Sequence, residues 1–245
     1  MNYSPDTKEK FDIVVNTYRL LGFKETLKEV ALYLLSQRPK DDFDEKYHVS
    51  TSGCDEGPSA SSITDETARA FSVGYVPTRE CVMRHILNNT LRETNTGEYS
   101  FVDLGCGKGR TLIIAAQFPF QEVVGVELSP LHYQVAADNI ERYRLLGASI
   151  CCKSLRAVCA NAAEFVFPST NLLIYMYRPF LGPVFKSVLD KLYGFHAATG
   201  HQVLVAYSCP VEQDFLEQHG GFVKRKEYQV ISTDYSWNLW ECQAH

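Results

Sequence analysis

From residue 100 onward the chain alternates short apolar runs with amphipathic stretches, and this alternation limits the possible folds more than any other feature. FVDL (101–104), EVVGVEL (122–128), a run within 149–160, NLLIYMY (171–177) and HQVLVAYS (201–208) read as strands. Between them TLIIAAQF (111–118), LHYQVAADNIERYRLL (131–146) and residues 183–194 carry the three-and-four spacing of helices. Strands separated by helices pair in parallel, because a parallel neighbour is reached only through a crossover, and the crossovers cover both faces. VEQDFLEQH reads as a short helix, and FVKRKEYQV (222–230) and YSWNLWEC (235–242) follow with no helix between them. Such a pair forms a hairpin that adds an antiparallel strand at one edge. The expectation is a seven-stranded, mostly parallel sheet with an antiparallel edge strand.

Upstream, apolar residues recur at helical spacing over 6–37, with Gly22 between two sets, and predict an N-terminal helical cap. Residues 38–66 are polar, rich in Ser, Asp and Gly, and read as a long loop of the kind that forms lids. A short helix over 63–71, the segment Tyr75-Val76-Pro77-Thr78 and a helix from Arg79 to about Thr90 complete this part. The expected division is a cap and lid or acceptor segment over 1–90, then the α/β domain over 91–245. A net charge of −5 argues against non-specific nucleic-acid binding. No apolar run is long enough to span a bilayer and the first residues are polar, so a cytoplasmic protein is expected. None of the eight cysteines is spaced C-x-x-C and no His pair stands beside them, so no metal site is expected.

The ligand should sit beyond the carboxyl ends of the strands. There the first strand turns through V-D-L-G-C-G-K-G-R (102–110), with Gly105, Gly107 and Gly109 at alternate positions. Glycine lets a ligand approach the backbone closely. A dinucleotide fingerprint needs its third glycine where Arg110 stands, and a P-loop needs Ser or Thr after Gly-Lys where Gly109 stands.

V-D-L followed by G-x-G-x-G resembles the nucleotide-binding turn of class I S-adenosylmethionine-dependent methyltransferases, whose fold is Rossmann-like. FDEKYHVSTSG (43–53), YVPT (75–78), FVDLGCGKGR and VVGVELSP are similar to a bacterial group of that family, many of whose acceptors are unassigned. The similarity covers about residues 43 to 195, and is more distant to protein-lysine methyltransferases of this fold. The resemblance implies S-adenosyl-L-methionine as cofactor. Asp103, Gly105, Cys106, Gly107 and Gly109 would cradle its methionine part. Glu127, with Leu128 beside it at the end of the second strand, would accept from the ribose hydroxyls. Tyr75 and Thr78 would close over the methionine end, with Tyr175 in the same wall. Asn161 would accept from the adenine amino group, or simply cap its loop, and Ala162 would present its backbone N–H to the ring.

After the fourth strand, Arg178-Pro179-Phe180 stands where amino-group methyltransferases of the family often have Asn or Asp in Asn-Pro-Pro-Tyr or Asn-Pro-Phe, with Arg178 in the place of the Asn. Pro179 and Phe180 match and Arg178 departs, since arginine only donates. Arg178 either clamps an anionic group on the acceptor or pairs with a lid acid in DDFDE (41–45). His48, His132 and Tyr177 are general-base candidates by type, with His132 expected to face out of its helix. The implied function is methyl transfer to a peptide or protein side chain or a small metabolite, with nucleic acid disfavoured. The alternatives are a catalytically silent cofactor-binding module and a NAD-dependent enzyme.

Overall fold

In the computed structural model, residues 41–54, 66–147, 149–228 and 236–243 are described, with five isolated positions between 23 and 31. The expected helical cap over 6–37 lies outside the described residues apart from those positions. The helices are α1 (Phe43–Tyr47), α2 (Glu66–Ala70), α3 (Glu80–Thr90), α4 (Arg110–Ala115), α5 (Pro130–Leu145), α6 (Gly182–Thr199) and α7 (Gln213–His219). The strands are β1 (Tyr99–Leu104), β2 (Glu122–Glu127), β3 (Leu155–Cys159), β4 (Asn171–Tyr177), β5 (Val203–Ser208), β6 (Phe222–Tyr228) and β7 (Trp237–Cys242).

The strands form one seven-stranded sheet in the order β3-β2-β1-β4-β5-β7-β6. The pairs from β3 to β5 are parallel, and β7 runs antiparallel to both β5 and β6. The expected hairpin therefore closes that edge, with β7 in its inner position. β1 is buried along its whole length, as its near-continuous apolar run demands when both faces are covered. Its alternate residues feed two cores. Phe101 joins the core built with α3, α4 and α5, while Val102 and Leu104 join the core built with α6 and α7. Trp237 and Trp240, three apart on β7, likewise go to opposite cores.

Val82, Met83, Ile86 and Leu87 of α3 are fully buried in the same core as Phe101 and Ile113. The segment before residue 91 thus covers one face of the sheet. Within the expected 38–66 loop the structure has α1. Its Phe43 and Tyr47 are one turn apart, meet with tilted rings at 4.6 Å between centroids, and pack on this core. The third strand is shorter than the expected run, because Cys151 and Cys152 instead donate their N–H groups to the Ala116 carbonyl, at 2.7 and 3.2 Å. Among the described residues, no helix is long and apolar enough to cross a membrane, and no group of His, Cys, Asp or Glu is arranged to hold a metal ion.

Candidate functional site

A cleft of about 1020 Å³, its solvent-open mouth included, lies over the carboxyl ends of β1, β2 and β4. Most residues singled out from the sequence line it, among them Tyr75, Thr78, Asp103, Gly105, Cys106, Gly107, Glu127, Leu128, Asn161, Ala162, Tyr175, Tyr177, Arg178 and Phe180. Gly109 is not in the wall. It caps α4 with φ 81°, and a Cβ there would come 3.1 Å from the Cβ of Ala136, so it serves the packing of α4 on α5.

The glycine turn is fixed to the tip of β2. The Gly105 and Cys106 N–H groups both donate to the Val126 carbonyl, at 2.8 and 3.2 Å. Gly107 has φ 54°, and a Cβ on it would lie 2.3 Å from the ring of Tyr75. Only glycine fits, because Tyr75 lies against the bare backbone. One oxygen of the buried Glu127 carboxylate accepts from the Gly107 N–H at 2.7 Å, and the other accepts from Ser129 N–H at 2.8 Å. Each oxygen has a second lone pair. Burial raises the Glu127 carboxyl, with the Ser129 and Gly107 amides opposing. Asp103 is 2% exposed and accepts from the Thr111 hydroxyl. Burial, helped by the Glu127 charge and opposed by Thr111, pushes its carboxyl up to about 7.

Other cleft side chains make hydrogen bonds within the chain. The Tyr75 hydroxyl donates to the Thr51 carbonyl at 2.6 Å. Thr78 Oγ1 and the Tyr175 hydroxyl share a buried hydrogen bond of 2.9 Å. Asn161 Oδ1 accepts from the Ala163 N–H at 3.0 Å, which is the loop-capping role. Phe180 is 7% exposed and packs 6.1 Å from Phe185 between ring centroids, within the core. Of the general-base candidates, His48 is exposed at the end of α1 and outside the cleft. His132 does not face out: it is in the cleft wall with its ring 5.3 Å from that of Tyr75. Tyr177 is half-buried in the wall.

The sequence reading missed Arg110, treating it only as a break in the dinucleotide pattern. It is 2% exposed at the start of α4 and holds the 41–54 strap onto the turn. It pairs with Asp41, lies 3.5 Å from Asp44, donates through Nε to Thr51 Oγ1 at 2.7 Å, and stands 4.6 Å over the Phe43 ring. Asn139 ties Ser50 to the Lys108 carbonyl, and Lys108 Nζ donates to the Ser52 carbonyl at 3.2 Å. Burial pushes the Asp44 carboxyl up, but hydrogen bonds from Thr51 and Ser52 outweigh it and hold the group below its usual value. The available signal was an arginine beside the glycines matched by the acids of DDFDE.

No protein-family model matches the chain. Over 76 residues it is 38% identical to a protein-lysine N-methyltransferase of Saccharolobus islandicus (strain REY15A); this stretch is 31% of the chain and 45% of that protein, so less than half of the relative's length is covered. Its fold is similar to that of a ribosomal protein L11 methylase from Lactobacillus delbrueckii subsp. bulgaricus, with a TM-score of 0.50 at 14% identity, over 69% of this chain and 81% of that one. The fold is the Rossmann-like fold of class I methyltransferases, as the resemblance implied.

Proposed function

We propose that the cleft binds S-adenosylmethionine and that the chain transfers its methyl group to an acceptor. The carrying observation is Glu127: a buried carboxylate at the tip of β2, hydrogen-bonded to the glycine turn of β1 and lining the same cleft. The donor set fits the cofactor. A carboxylate accepts from paired ribose hydroxyls. Asp103, a buried carboxylate without a cationic partner among the described residues, suits a ligand that brings positive charge. Cys106 and Gly107 supply close backbone contact, and Asn161 and Ala162 line the wall where adenine would lie.

When bound, the cofactor supplies an electrophilic methyl on sulfur. The chain's residues align the acceptor lone pair and exclude water. Tyr75, Thr78 and Tyr175 close the methionine end, and the segment ahead of residue 91 would build the acceptor pocket against the 91–245 domain. The acceptor we favour is a peptide or protein side chain or a small metabolite, with an anionic group facing Arg178, and not nucleic acid. A cytoplasmic location fits cysteines that form no disulfide among the described residues.

Calorimetry with S-adenosylmethionine, S-adenosylhomocysteine and NAD tests the cofactor, and binding of NAD alone would overturn it. Transfer of labelled methyl to a cell extract tests turnover. A second reading, a silent binding module, is favoured by Arg178 standing where a hydrogen-bond acceptor is usual. It wins if both sulfur nucleosides bind and no labelled species forms.

A further inference from the structure

Arg178 follows β4 with φ 40°, one of three non-glycine residues at positive φ among the described residues. A side chain in that region is strained and persists only where its surroundings impose it. Here they do. Ser72 bridges Phe180, the Val73 N–H donates to the Pro179 carbonyl at 3.2 Å, and the Leu181 N–H donates to the Phe71 carbonyl at 2.9 Å. Pro179 in turn presses on the turn, where a Cβ on Gly105 would lie 2.4 Å from the Pro179 Cβ. The backbone is pinned on the side of the strained residue that leads into α6, and the Arg178 side chain lines the cleft.

Arg178 Nε is buried and has no hydrogen-bond partner. Of the acids in DDFDE (41–45), Asp41 and Asp44 are taken by Arg110. Val73, Tyr177, Pro179, Phe180 and Val184 line the cleft with it, and behind them the Tyr207 hydroxyl feels both the Arg178 and the Glu212 charge, the Glu212 carboxylate being engaged with the Gly182 N–H. The acids lining the cleft, Asp103 and Glu127, stand on β1 and β2 and are engaged with Thr111 and the turn. A buried donor without an acceptor is unfavourable. A guanidinium can only donate, in a planar fork that matches the two oxygens of a carboxylate. One guanidinium in an apolar wall balances one negative charge, whereas a phosphate's second charge would lack a partner there.

We propose that Arg178 is the carboxylate-binding residue of the acceptor subsite, so that the acceptor class is a carboxylate-bearing molecule and not the bare ammonium of a lysine side chain. This rests on the methyl-transfer reading of the cleft and separates the chain from the activity that the archaeal relative's name states. A lysine ammonium beside Arg178 would meet a like charge, and the acids of the cleft are already engaged with Thr111 and the glycine turn. The acceptor carboxylate would lie between the guanidinium and the cofactor's positive charge, favourable to both.

The protein saturated with S-adenosylhomocysteine, which fills the nucleoside end of the cleft, is titrated calorimetrically with benzoate, benzamide, benzylamine and inorganic phosphate. Benzoate is expected to bind at least about ten-fold more tightly than the other three, a difference ordinary for a charge-assisted pair. Arg178→Gln should weaken benzoate by about ten-fold or more, leave the affinity for S-adenosylhomocysteine within about two-fold, and Arg178→Lys should recover part of the loss. Retained nucleoside affinity also shows that the variants fold. The proposal is overturned if benzylamine or phosphate matches benzoate, or if Arg178→Gln leaves benzoate binding intact. Failure of S-adenosylhomocysteine to bind the unaltered protein overturns the methyl-transfer reading instead.

Discussion

Asp103 offers the sharpest test of the site's electrostatics. Its carboxyl is 2% exposed, and burial chiefly raises it from 3.8 to about 7. A rise of that size corresponds to ~4 kcal/mol of disfavour for the ionised form. Between these values the folded chain holds a proton that the unfolded chain has released. Stability therefore falls as pH climbs through this interval and is lowest above about 7. Asp103→Asn keeps the shape and an oxygen to accept from Thr111, but cannot ionise. In urea unfolding, the variant should gain on the parent by ~2–4 kcal/mol between about pH 4.5 and pH 8, the lower figure allowing for relaxation around the charge. The same variant should bind S-adenosylmethionine more weakly by ~10-fold or more at pH 8, because the balancing charge is gone. A stability difference that stays flat across this pH range would refute the reasoning, since it would mean that the carboxyl titrates normally in the folded state.

Gly107→Ala should reduce cofactor affinity by at least ~10-fold in calorimetry, because the added methyl drives into Tyr75 at a positive φ. Glu127→Gln keeps the size but replaces one acceptor with a donor facing backbone N–H groups, so a loss of ~1.5–3 kcal/mol in nucleoside binding is expected by the same measurement. Arg110→Gln should increase amide hydrogen exchange across 41–54, above all at Thr51 and Ser52, whose N–H groups donate to Asp44 Oδ2, while β1 stays protected. Leu87→Ala, in the core between α3 and the sheet, should lower unfolding stability by ~2–5 kcal/mol.

The parallel sheet was legible because β1, β2, β4 and β5 are apolar runs of strand length divided by helix-length stretches, a pattern with few solutions. Glu127 was singled out by the resemblance, which implies an acid at the end of the second strand; the parallel pairing of β1 and β2 is what brings that tip to the turn of β1. What stayed hidden depends on long-range partners. Nothing local to Tyr75 says that its hydroxyl meets Thr51, 24 residues earlier. Nothing local to Arg110 says that its charge is balanced by Asp41, 69 residues away. The orientation of His132 was misread because helical spacing gives a face but not what stands opposite it, and here that neighbour is the Tyr75 ring. α1 was missed because five residues are too few for a period to emerge from polar surroundings.

The burial of α3 bears on how the protein can be dissected. Met83, Ile86 and Leu87 have no exposed surface, and they fill the same core as Phe101 and Ile113. An engineer who excised residues 91–245 as a ready-made catalytic module would strip the roof from one side of the sheet and leave a greasy wound on it. The fragment would be expected to aggregate, so any transplant of the cleft into another chain has to begin its cut upstream of Glu80.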